Sequence, residues 1–299
     1  MEIRLGMSPI SWSNDDLPQL GGDTPLEVCL RETRMAGFTG TETGGKFPKQ
    51  PDALSAVLNE HDLSIVSGWY SGTLIHNDIA SEIEQITPQL ALFKEVGASV
   101  IVYGETYKTI QNQQSCPLST RLKLSEFDVA EYGKKLTRLA EHCAEQGVPL
   151  TFHHHMGTAV ESEHEIDSLM SNTGEAVGLL LDTGHLLFAG GNISSVISNH
   201  GSRINHVHTK DIRSKVMNSI NKQENSFLDS VLRGVFTVPG DGMIDYDGVM
   251  RELYSAGYEG WVIIEAEQDP AKANPLEYAK IGFNALDRAR RNAGYQLRA

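Results

Sequence analysis

Apolar residues along the chain come in two alternating textures. Short runs are apolar throughout or at every second position. Between them lie longer stretches whose apolar residues recur three and four apart. The first texture is that of strands and the second that of amphipathic helices. Strands are predicted over 2–8 (EIRLGMS), 38–43 (FTGTET), 63–70 (LSIVSGWY) and 99–105 (SVIVYGE), and again over 148–154 (VPLTFHH), 177–182 (VGLLLD), 204–211 (INHVHTKD) and 260–267 (GWVIIEAE). Helical spacing marks PLEVCLRETRMAG, DVAEYGKKLTRLAEHCAEQG and YDGVMRELYSAG. Each of these closes on a glycine, the usual helix stop before a following strand.

Eight strand signals alternating with helices predict an α/β protein built as a single (β/α)8 TIM barrel. A doubly wound open sheet fits less well, because no Gly-x-Gly-x-x-Gly follows the first strand. No low-complexity linker divides the chain, so residues 1–299 read as one domain. Such a barrel takes about 250 residues. The surplus falls in the βα connections at 105–125 and 211–245, which would extend over the C-terminal face where barrel enzymes carry their sites. Within the second, VPGDGMID (238–245) reads either as a tight turn or as a closure segment beside the first.

Composition narrows the classes. Lys plus Arg number 25 and Asp plus Glu 39, a formal charge of −14, which disfavours a nucleic-acid partner. The three cysteines, Cys29, Cys116 and Cys143, are widely spaced and read as reduced thiols. The N-terminus has no secretory pattern, and no apolar run approaches the roughly 20 residues of a membrane helix. A cytoplasmic protein without membrane contacts is the expectation. Barrel helices offer surfaces on which copies associate, so a homo-oligomer is allowed, but nothing fixes its symmetry.

The predicted strand ends carry unusual chemistry. Strand 2 ends at Glu42 and strand 4 at Glu105. Strand 5 ends in His153, His154 and His155. Strand 6 ends at Asp182, with His185 three residues on. Strand 7 carries His206, His208 and Lys210 at period two, and strand 8 carries Glu265 and Glu267 at the same spacing. Period two puts His153 and His155 on one face and His154 on the other. A lone strand-end histidine is usually only a polar terminus. Four consecutive strands offering imidazole or carboxylate at one level is a different observation. That mixture suits Mn²⁺, Fe²⁺, Co²⁺ or Zn²⁺, and without cysteine it describes an open catalytic site rather than a structural zinc cage.

Asp182 in LLLDTGH, His208 in HVHTKD and Glu265 in WVIIEAEQD resemble the metal-site motifs of the xylose-isomerase-like barrels. With HHHMGT, GVFTVPGDG, SPISWSNDDLPQLGG and GFTGTETGGKFP, in this order from residue 5 to about residue 290, the sequence resembles the inosose dehydratase family. The resemblance implies His153, Asp182, His208 and Glu265 as metal ligands. Sugar epimerases of the superfamily place Glu where His153 stands, so their two-carboxylate mechanism does not carry over. Manganese or cobalt is the implied metal. Glutathione is also implied, by resemblance only, and no residue here gives it a role.

The implied reaction is loss of water from scyllo-inosose, a polyol ketone. The ketone activates the hydrogen on the next carbon, and a divalent metal on its oxygen would stabilise the enolate. A base takes the proton and an acid protonates the departing β-hydroxyl. Glu265 or Lys210 is expected to handle the proton, and His155 or His185 to assist the hydroxyl. Lys210 read structurally would pair with Asp211 or Glu42. A neutral polyol needs many hydrogen-bonding side chains, for which Asn14, Asp15, Glu42, Lys46 and Glu105 are candidates, with Trp69 as an apolar wall. Trp12 reads better as core. The rival readings are an isomerase or epimerase on the same barrel, a DNA-repair endonuclease, which the acidic charge opposes, and a non-enzymatic ligand-binding barrel.

Overall fold

The computed structural model describes residues 1–298. Eight parallel strands form a closed barrel: β1 (Glu2–Met7), β2 (Gly40–Thr43), β3 (Ser64–Gly72), β4 (Ile101–Glu105), β5 (Leu150–His153), β6 (Gly178–Asp182), β7 (Ile204–His208) and β8 (Gly260–Ile264). Each pairs with its neighbour in sequence, and β8 closes on β1 through Ile3 to Met7 against Gly260 to Ile264. The three predicted helices occupy Leu26–Ala36, Glu126–Glu145 and Tyr246–Ser255. Glycines end or follow them at positive φ, as at Gly37 (φ 110°). The left-handed residue turns the chain back toward the barrel at no Cβ cost.

Side-chain parity builds two layers of core. Outward residues such as Phe152, Leu179, Leu181, Val207, Val262 and Ile264 pack under the helices. Inward residues of the lower barrel, Val66, Trp261 and Ile263, form a small plug. Gly40 is required there, because a Cβ would come within 2.4 Å of the Trp261 ring. Above the plug the inward positions turn polar, and these become the site. The chain shifts register between Thr41 and Glu42, a bulge that re-aims the end of β2.

Two predicted strands end early. Strand 7 stops at His208, and Asp211–Ile212 leaves the barrel to pair antiparallel with Phe236–Thr237. Strand 8 stops at Ile264, so Glu265 and Glu267 follow it in irregular chain. Both surplus loops stand over the C-terminal face. The second builds its own apolar cluster, including Phe227 and Phe236, against Leu118 of the first and Met156 after β5. The 238–245 segment is the tight turn: Asp211 accepts from the amides of Gly240 and Ile244, and Asp241 pairs with Arg213 at 2.7 Å. No described helix is long and apolar enough to cross a membrane.

Candidate active site

His153 ends β5, Asp182 ends β6, His208 ends β7 and Glu265 follows β8. One donor atom of each gathers within 4.8 Å of the others. The second polar atom of three of them is already committed. His153 Nδ1 lies 2.6 Å from the carbonyl of His154, which fixes the proton there and leaves Nε2 free. Asp182 Oδ1 accepts the His185 amide at 2.8 Å, capping the helix Thr183–Ala189. His208 donates from Nε2 to Glu42 Oε1 at 3.0 Å, which leaves its Nδ1 lone pair free. Asp182 Oδ2, His208 Nδ1 and Glu265 Oε2 are buried without a well-formed hydrogen bond, although His208 Nδ1 and Glu265 Oε2 lie 2.7 Å apart and Lys210 stands 3.4 Å from the latter. Buried polar atoms are rarely left so, and three together, aimed into one donor set, fit a divalent cation. Anchored outer atoms are the usual support of such ligands.

Glu42 was expected to touch substrate. It borders the cavity, but its main contacts lie beneath His208. Oε1 accepts from Ser67 Oγ (2.6 Å), His206 Nε2 (3.0 Å) and His208 Nε2. Burial alone would raise its carboxyl, but His208 and His206 overcome that and hold it well below the usual range. Replacing Glu42 by Gln should therefore weaken metal binding by about 10–100-fold, as loss of a supporting hydrogen bond does. Competition with a chelating dye measures this, and KM at saturating metal should change little.

Beside the donor set lies a second group, His155, His185 and Glu267, with Lys210. The Lys210 ammonium contacts Glu267 Oε2 at 2.7 Å, His185 Nε2 at 2.9 Å and Glu265 Oε2 at 3.4 Å. Its partners are not the expected Asp211 or Glu42. Parity aims it inward, but the chain leaves β7 before it and its ammonium lies against Glu265 and Glu267, which follow β8. Burial would lower Lys210, yet Glu265, Glu267 and Asp182 keep it raised, so it stays charged. Burial pushes Glu267 up to about 7 against the opposing charge of Lys210. Burial and the Lys210 charge push His155 down to about 3, so its imidazole is neutral.

A cavity of about 620 Å³ opens over these groups. His153, His155, His208, Glu265 and Glu267 form its floor, and Trp69 one wall, with its ring centroid 5.5 Å from that of His153. Asp15 borders it and accepts the Gly45 amide at 2.7 Å. Asp16, Thr109 and Gln111 also line it, and none of them stood out in the sequence. Gln111 reaches Asp16 Oδ2 at 3.3 Å, joining the first and fourth βα loops across the cavity. Lys210 and His185 are sealed beneath the floor rather than exposed in it.

Three expected substrate contacts lie elsewhere. Asn14 Oδ1 accepts from the amides of Asp16 and Leu17, so it closes a turn. Lys46 donates to the carbonyls of Gly21 and Thr24 and holds that loop. Glu105 turns outward and accepts from the amides of Ile75 and Tyr107 and from Tyr103 Oη. All three satisfy local backbone or buried donors, a demand that strand ends do not reveal. Trp12 donates to Glu32 and is core, and His154 Nε2 accepts the Asp182 amide behind β5.

Glu105 carries a consequence for stability. Burial raises its carboxyl to about 7, with hydrogen bonds from Tyr107 and Ile75 opposing. A raised acid favours the folded state fully below the unfolded value near 4.5 and loses that contribution as pH rises through about 7. Urea unfolding of wild type against Glu105→Gln should show a stability difference that shifts by about 3 kcal/mol across that window. An unchanged difference contradicts the buried carboxyl.

Barrel and site together define a class: parallel (β/α)8 enzymes with a His–Asp–His–Glu donor set at the strand C-termini. Residues 30–289 match the family described as xylose isomerase-like TIM barrel. The chain is 48% identical over 297 residues to the rhizopine catabolism protein MocC of Rhizobium meliloti, covering 99% of this chain and 91% of that protein. It is 44% identical over 282 residues to the inosose dehydratase of Geobacillus thermodenitrificans, covering 93% and 94%. A crystal structure of the IolI protein with a bound zinc atom shares the fold, with a TM-score of 0.65 at 17% identity over 97% of this chain and 98% of that one. The chain belongs to the xylose isomerase-like TIM-barrel family and, within it, to the inosose dehydratases, which are hydro-lyases.

Proposed function

We propose that this protein dehydrates scyllo-inosose to a trihydroxycyclohexane-1,2-dione in a metal-dependent reaction. The observation that carries the proposal is Glu267, which opens into the cavity beside the buried donor set of His153, Asp182, His208 and Glu265. When bound there, as Mn²⁺ or Co²⁺, the metal would polarise the ketone oxygen.

Glu267 takes the proton from the carbon next to the ketone. Its value near 7 suits a base at neutral pH. The acid so formed returns that proton to the β-hydroxyl. The carbon–oxygen bond breaks, water leaves and an enol remains, which tautomerises to the second ketone. Glu265 is committed as a ligand, so it is not the base. Lys210 stays protonated beneath the floor and supplies fixed positive charge next to Glu267. His155 presents an unprotonated Nε2 to the cavity, because Nδ1 donates to the Met156 carbonyl at 2.8 Å. It accepts a substrate hydroxyl and orients the ring. His185 supports Lys210 from below. Asp15, Asp16, Thr109 and Gln111 offer hydrogen bonds for the remaining hydroxyls, and Trp69 an apolar wall for ring C–H groups.

Carbon NMR of the reaction in D₂O tests this chemistry. Dehydration creates one new ring methylene carrying a solvent deuterium. An isomerase would retain every oxygen-bearing carbon and show no methylene, and that spectrum would replace the dehydratase reading.

A further inference from the structure

We propose that His155, His185 and Glu267 form a second divalent-cation site and that the Lys210 ammonium permanently fills it.

The three residues offer one donor atom each within 4.8 Å, all buried. Two imidazoles and a carboxylate are a common catalytic metal set. Two of the three donors already contact a cation. Lys210 Nζ sits 2.7 Å from Glu267 Oε2 and 2.9 Å from His185 Nε2. The His185 ring is squeezed between donors, with the Met156 amide 3.3 Å from Nδ1. The shorter contact decides the tautomer, so Nε2 turns its lone pair to the ammonium. The His155 ring lies 3.8 Å from that of His185, centroid to centroid, which brings the third donor beside the pair that holds the ammonium.

The lysine is built in. Its stem crosses Gly184, where a Cβ would lie 2.6 Å from Lys210 Cγ. Thr183 Oγ1 donates to the Lys210 carbonyl at 2.9 Å, and the Phe236 ring lies 4.8 Å from Nζ. The ammonium also stands 3.4 Å from Glu265 Oε2 and 3.9 Å from Asp182 Oδ2, two donors of the first set. The two cation positions therefore share a wall of carboxylates, as paired metal sites do. A tethered ammonium gives the site its second positive charge without dependence on a second ion.

The test is metal content and electron paramagnetic resonance after equilibration with Mn²⁺ alone. Lys210→Ala should hold one more Mn²⁺ than the wild type and show coupling between neighbouring ions. Lys210→Arg should gain none, and Lys210→Ala with Glu267→Gln should lose the added ion. Equal ion counts in folded Lys210→Ala and wild type overturn the proposal. Should Lys210→Ala need metal to fold, Lys210→Gln, which keeps most of the stem, must show the same gain. Mn²⁺ found against His155, His185 and Glu267 in the wild type also overturns it. The gain is a difference between proteins, so it holds or fails separately from the number of ions the wild type binds.

Discussion

Asp182→Asn should empty the site of metal and leave the barrel folded. Asp182 performs two tasks with two oxygens. Oδ1 caps the following helix through the His185 amide, and Oδ2 is buried, unpaired and part of the donor set. Asparagine can keep the cap with its carbonyl oxygen. It then presents an NH₂ group, a donor, where the cation needs a lone pair. One unit of negative charge goes as well. At an effective dielectric near 20, two unit charges about 4 Å apart attract by about 4 kcal/mol. The metal affinity should thus fall by roughly three orders of magnitude. Calorimetric titration with Mn²⁺ and far-UV circular dichroism check both halves. Undiminished affinity removes Asp182 from the ligands.

The second large effect is on the proton. Glu267→Gln should lower kcat by about 10²–10⁴-fold, the usual contribution of a positioned acid or base. Its metal content should stay at the wild-type level, because Glu267 is not in the first donor set. Lys210 keeps Glu265, Asp182 and His185 as neighbours, so the ammonium is not orphaned. The wild-type kcat/KM should rise with pH through the Glu267 ionisation near 7, since the base acts only when deprotonated. That limb should vanish in the variant. A variant with an unchanged pH profile would move the proton to another group.

How much of this was legible before the structure depends on what each residue's direction rests on. Strand parity is a local rule. It placed His153 and His208 toward one cavity and turned His154 away, while Asp182 joins them at the strand end without bordering the cavity. It placed Lys210 and Glu267 inward too, although both lie past the last paired residue of their strands. Register with a neighbouring strand is not local. The bulge at Glu42 and the outward turn of Glu105 depend on Ser67, on Tyr103 and on amides from other segments. Loop residues follow no period at all. Asn14 and Lys46 looked like free polar groups, yet each is spent on its own turn, while Asp16 and Gln111 meet across the cavity from 95 residues apart. The one available sign for Glu267 was its spacing of two from Glu265, which marks direction and not chemistry.

Mass spectrometry of the product formed from scyllo-inosose is the most direct test of metal-dependent dehydration at this site. The protein would be stripped of metal, assayed, and assayed again after reloading with Mn²⁺ or Co²⁺. A product lighter by one water, formed only by the reloaded protein and not by Asp182→Asn under the same conditions, is the expected result. A product of unchanged mass, or loss of water that proceeds equally in the stripped protein, would contradict the account.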